Sequence, residues 1–133
     1  MSQNKTVSNL VRFTVLTAMV TMMMASSAFA QQKVCINLMV GAGYMANFAV
    51  KVGSLQSKDT DSFAVGKQKC ITLADLAPAG TSIIPGTPIV TTVHALAGKH
   101  QECTPSSISY DPKRTDNLIY NAWGTTGSVH CQQ

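Results

Sequence analysis

The side chains best equipped for chemistry lie late in the chain. His94, His100, Cys103, His130 and Cys131 bring imidazole and thiol groups, the donor set of zinc and copper sites. His100-x-x-Cys103 and the adjacent His130-Cys131 would converge if the last strand lay beside the turn that precedes His100. The cysteine count argues for another use. Cys35, Cys70, Cys103 and Cys131 make four, and an even number in a short exported chain reads as two disulfides. Disulfide formation removes both thiolates. A metal site of His94, His100 and His130 alone survives as an alternative, and no cofactor is expected.

Gly41-Ala42-Gly43-Tyr44-Met45-Ala46 fits the G-x-G-x-x-A spacing of a dinucleotide fingerprint, with Asp59 or Asp61 placed to meet a ribose. That chemistry needs a helix N-terminus against the pyrophosphate. The residues that follow, Asn47 to Val52, alternate with a period of two and meet Gly53 too soon. The segment reads as a glycine turn. No serine sits in a G-x-S-x-G elbow, and an even cysteine count leaves no thiolate nucleophile. Glu102 or Asp111 is available to a histidine, but nothing in the spacing assembles a triad. Asp59 and Asp61 lie in a polar loop and read as solvated. The chain is therefore expected not to be an enzyme, with a small secreted hydrolase of unrecognised site as a further alternative.

The first thirty residues have the zones of a secretory signal peptide. Lys5 and Arg12 precede an apolar run from Phe13 to Met24, and Ala28-Phe29-Ala30 supplies the small residues of a cleavage site. The run is shorter than the roughly 20 residues of a spanning helix. Cleavage after Ala30 leaves a domain over 31–133, periplasmic or secreted, with no transmembrane segment. Losing Lys5 and Arg12 leaves eight basic residues against six acidic ones, a net charge of +2. That is too little to argue for a nucleic-acid partner.

The elements that must position any site are strands. Pro88 to Leu96 is the clearest. Ile89, Thr91, Val93 and Ala95 point one way, and Val90, Thr92, His94 and Leu96 the other. Ala97-Gly98-Lys99 is where the chain is expected to reverse, since Gly98 can take a positive φ without steric cost. Residues 34–40 and 45–52 read as a β-hairpin around Gly41–Gly43. Further strands are expected at 62–65, 69–73, 107–110, 118–123 and 128–131, with one helical turn near Leu73–Ala77. Gly124–Gly127 turns the last pair. About seven or eight short strands without a sustained 3.6 period predict an all-β fold, a small antiparallel β-sandwich or barrel. Local closure favours Cys35–Cys70 with Cys103–Cys131 among the three connectivities.

Aromatic residues are few. Phe48 and Tyr120 share faces with apolar residues and are expected in the core. Tyr44, at the glycine turn, and Trp123, opposite Tyr120 in phase, are the candidate exposed contacts. Lys113 and Arg114, at a charged loop tip, are further candidate binding residues. Gly53–Asp61, Leu76–Thr87 and Asp111–Asn117 are the loops expected to carry recognition. The first reading is thus an exported, disulfide-stapled β-sandwich that binds a protein, a glycan or an envelope component. The sequence does not specify oligomeric state.

Overall fold

The computed structural model describes residues 31–133; the signal peptide expected over residues 1–30 lies outside the described residues. Among the described residues nine strands form: β1 (Lys33–Leu38), β2 (Ala46–Val52), β3 (Leu55–Gln56), β4 (Gln68–Thr72), β5 (Pro88–Ala95), β6 (His100–Glu102), β7 (Ile108–Ser109), β8 (Leu118–Thr125) and β9 (Ser128–Gln132). A single 3-10 turn, Leu73–Leu76, follows β4, where the helical turn was expected.

Two sheets pack face to face as a β-sandwich. The four-stranded sheet has the order β4-β1-β8-β9, and the five-stranded sheet the order β3-β2-β5-β6 with β7 also on β5. Alternation explains the layers. Val34, Ile36 and Leu38 of β1, with Leu118, Tyr120 and Ala122 of β8, are buried against Ala46, Phe48, Val50 and Val52 of β2 and Ile89, Thr91, Val93 and Ala95 of β5. Phe48 meets Phe63 edge-on, with ring centroids 6.3 Å apart. Among the described residues, no helix is long and apolar enough to cross a membrane.

Three expectations about strand pairing and turns need correction. Residues 34–40 and 45–52 do not form a hairpin, because β1 and β2 lie in different sheets. Both carry a fully apolar face, and those faces are buried more completely across the layers than side by side. The glycine segment makes the crossing, with Ala42 and Tyr44 buried and the Gly43 amide donating to the Gly124 carbonyl at 2.9 Å. Second, β1 runs parallel to β8, while the other pairs are antiparallel. A parallel pair needs a crossover, and the chain between them builds the whole second sheet. Third, the positive φ at the β5–β6 turn belongs to Ala97, at 58°, and not to Gly98. Gly98 is required for a different reason. A Cβ there would stand 2.5 Å from the Thr126 carbonyl oxygen, where the β8–β9 turn abuts it.

The expected strand at 62–65 shrinks to a bridge between Phe63 and Ala46. The preceding polar segment, expected to be a free loop, instead covers the edge of β2. Ser57 and Thr60 each donate a backbone amide to β2, to Val50 and Phe48, at 2.9 Å. Their hydroxyls accept the amides of those same two residues, at 2.9 and 3.2 Å. Hydroxyls spaced three apart thus stand in for a neighbouring strand.

Both disulfides have the connectivity favoured by local closure. Cys35–Cys70 staples β1 to the edge strand β4, and Cys103–Cys131 joins the two sheets. The same seam is zipped by backbone: the Thr104 amide donates to the Cys131 carbonyl and the Gln133 amide to the Thr104 carbonyl, both at 3.0 Å.

Candidate functional site

Strand register lines up the outward-pointing residues of the four-stranded sheet, and between Lys33–Thr72 at one end and Thr125–Ser128 at the other lie three rows. In the first row the Cys35–Cys70 disulfide lies beside Ile119. In the second row Gln68, Asn37, Asn121 and Gln132 stand opposite one another, one from each strand. The third row pairs Trp123 with His130, and Met39 follows β1 at its edge, its amide donating to the Ala122 carbonyl.

Trp123 is 39% exposed and stacks on His130, with ring centroids 5.5 Å apart and planes 20° from parallel. Ser128 Oγ lies 3.2 Å from His130 Nε2 and steadies the imidazole. Gly124 makes this packing possible, since a Cβ there would collide with the Ser128 carbonyl and press on the His130 ring. In the amide row, Gln68 Nε2 donates to Asn37 Oδ1 at 2.7 Å, and Asn37 Nδ2 donates to Asn121 Oδ1 at 3.2 Å. Asn121 Nδ2 and the Gln132 amide take no part in those two bonds. Two concavities flank the indole. One of about 370 Å³ opens towards Lys99, Gln101 and His130. The other, of about 480 Å³, is lined by Met39, Val40, Asn121 and Gln132. Trp123 and Gln132 line both.

Tyr44 is not an exposed contact. It is 6% exposed, and its hydroxyl donates to the Trp123 carbonyl at 3.1 Å, supporting the site from below. Burial raises its pKa above the ordinary tyrosine value. Lys113 and Arg114 sit in the loop before β8, at the end of that strand remote from Trp123. Arg114 makes a two-pronged bond to Asp116, Nη2–Oδ2 at 3.0 Å and Nε–Oδ1 at 3.3 Å. That bond holds the Asp116 carboxyl below the usual aspartate range. Asp111 accepts the backbone amides of Lys113 and Arg114. The loop is therefore organised by its own charges.

The three histidines do not converge. His94 and His100 are cross-strand neighbours on β5 and β6, with ring centroids 5.7 Å apart, and Asp59 Oδ2 lies 3.8 Å from His94 Nδ1. His130 is committed to the Trp123 stack on the other sheet. Among the described residues, no group of three or more His, Cys, Asp or Glu side chains is placed to hold a metal ion. All four cysteines are in disulfides.

Sequence reasoning missed the amide row. Its signal was present: Asn37 and Gln68 each lie two positions from a bonded cysteine, so an antiparallel register through Cys35–Cys70 sets them opposite each other. No protein-family model, curated protein or solved structure matches the chain.

Proposed function

We propose that this chain is an exported, disulfide-stapled β-sandwich that acts by binding and has no catalytic centre. Its binding surface is the outer face of the four-stranded sheet, centred on Trp123. One observation carries the reading: a stacked, half-exposed indole stands between two concavities, beside a register of side-chain amides. Tryptophan is the residue type most enriched where binding energy concentrates. Export is supported by the N-terminal sequence pattern and by two disulfides, which persist in oxidising compartments.

The test uses the protein exported through its own N-terminus, without reductant. Intact mass should correspond to a chain starting at Gln31 and lacking the four thiol hydrogens. Immobilised wild-type protein and Trp123→Ala are then compared for capture of components from a cell-envelope fraction. The variant should keep its circular dichroism spectrum and cooperative melting, because the indole lies outside the core, and should lose capture. Unaltered capture by a folded Trp123→Ala protein overturns the reading.

A further inference from the structure

The chemistry of this face is selective. The chain carries ten basic and six acidic residues, yet none of them stands in the three rows described above; Lys33 lies on the outer face of β1 one row beyond the Cys35–Cys70 disulfide, and Lys99 lines only the concavity on the His130 side. The opposite face of the sandwich differs: Lys51, His94, His100 and Glu102 point outwards there, with Asp59 against His94. A ligand seated on the amide row and in the concavity of Met39 and Val40 meets no charged side chain. An anionic polymer there finds no side chain to neutralise it, and a cation none to hold it. A purely apolar ligand would strip water from a row of amides and leave them unpaired, which is costly.

We propose that the face binds an uncharged oligosaccharide, an inference that rests on the binding reading above. A sugar hydroxyl is both donor and acceptor, and a carboxamide is the uncharged side chain that offers both in one plane. Four amides in register across four strands extend over about 14 Å at the usual strand spacing, a span suited to several sugar units. In the bonds already made, Gln68 and Asn37 donate along the row towards Asn121. Those bonds fix the orientation of Asn37 and Asn121 before any ligand arrives, which reduces the entropy lost on binding. Asn121 Nδ2 and the Gln132 amide then meet the hydroxyls. The indole supplies the complementary part. His130 stacks on the indole, which also lines the concavity of Met39, Val40 and Asn121. A pyranose has an apolar C–H face as well as a rim of hydroxyls. Set on this surface, its C–H face lies on the indole and its rim on the amides.

The chain has one tryptophan, so its fluorescence reports this site alone. Oxidised protein is titrated with chito-, cello- and malto-oligosaccharides of three to six units, and with a hyaluronan oligosaccharide as the charged counterpart. At least one neutral series should give a saturable change in emission at micromolar to millimolar concentration, with an affinity insensitive to salt. Gln132→Ala, at an exposed position, should weaken it about tenfold without shifting the melting temperature, the loss expected for one amide's hydrogen bonds. Asn121→Ala should weaken it further, and Trp123→Ala, followed by calorimetry, should abolish it. If only hyaluronan binds, with salt-sensitive affinity, the inference is overturned. It is also overturned if no neutral sugar binds; capture of an envelope component that still depends on Trp123 would then leave the broader binding reading standing. Loss of both removes the two together.

Discussion

Removing the two disulfides separately tests which forces hold the sandwich together. In the chain-entropy account the larger loop gives the larger stabilisation. The Cys35–Cys70 bridge spans 35 positions and the Cys103–Cys131 bridge 28. Those separations correspond to about 3.8 and 3.6 kcal/mol at 25 °C. Entropy alone therefore makes Cys35–Cys70 marginally the more valuable. Packing reverses the order. Cys103 and Cys131 are 1% and 5% exposed, whereas only Cys35 of the other pair is buried and Cys70 faces solvent. Replacing Cys103 and Cys131 by alanine thus empties two buried sulfur positions instead of one. At about 0.8 kcal/mol for each methylene-sized group, before any cavity contribution, the Cys103→Ala/Cys131→Ala protein should be the less stable of the two by roughly 0.6 kcal/mol or more. The assay is urea unfolding of both double variants and wild type, without reductant, followed by Trp123 emission and far-ultraviolet dichroism. If Cys35→Ala/Cys70→Ala is equally or more destabilised, loop closure dominates and the packing argument for the seam between sheets is refuted.

Two further predictions concern buried polar groups. Thr91 Oγ1 and the Tyr120 hydroxyl are buried without a well-formed hydrogen bond. Thr91→Val/Tyr120→Phe should therefore raise stability by about 1 kcal/mol, seen as a higher melting temperature; a fall would show that the two hydroxyls stabilise the fold. Burial raises the Tyr120 and Tyr44 pKa values above 10.0, and Thr91 offsets part of the rise at Tyr120. The folded state then holds phenolic protons that the unfolded chain releases. Their stabilisation is complete below the unfolded tyrosine pKa and is lost as pH rises through the higher folded values. Stability measured from pH 8 upwards should fall most steeply in the alkaline range, and Tyr44→Phe should flatten that fall; an unchanged profile would count against it. At the edge of β2, Ser57→Ala/Thr60→Ala removes the acceptors of the Val50 and Phe48 amides. The cost should be about 1–3 kcal/mol for each amide left unpaired, with new concentration-dependent association on gel filtration; a monomer of wild-type stability refutes the edge-covering role.

Features governed by the alternation of side chains were legible in the sequence. The two faces of β5 divide as the pattern requires, Phe48 and Tyr120 are core, and Trp123 points away from Tyr120. Local closure also singled out the right cysteine pairs. Long-range choices were not legible. Whether two apolar strands lie side by side or across a core depends on their partners, so β1 and β2 looked like a hairpin. The parallel pairing of β1 with β8 leaves no local trace. Gly98 illustrates a subtler limit. Its type announced a turn, but it is needed because the Thr126 backbone comes close, while Ala97 takes the positive φ. The site was half legible for the same reason. Phase exposed Trp123, but the amide row exists only once four strands from distant parts of the chain are in register.

The distribution of protection bears on why the three rows of that face carry no charged side chain. Sheet edges invite pairing with other chains, and this fold guards them. Lys69 lies on the core-facing side of the edge strand β4, opposite Ile36, where a second strand would have to bury its charge. The β2 edge is covered by Ser57, Thr60 and Phe63, and the seam between the sheets is zipped and cross-linked. With the edges so defended, the cheapest remaining safeguard against association would be charge on the broad faces. The five-stranded sheet has it. The four-stranded sheet instead leaves Ile119, Met39 and Trp123 partly exposed beside amides, and that exposed apolar surface carries a risk of self-association. Rows left without charged side chains on a molecule that guards itself elsewhere fit the contact face proposed above, since a lysine or glutamate there would have to be desolvated at each encounter.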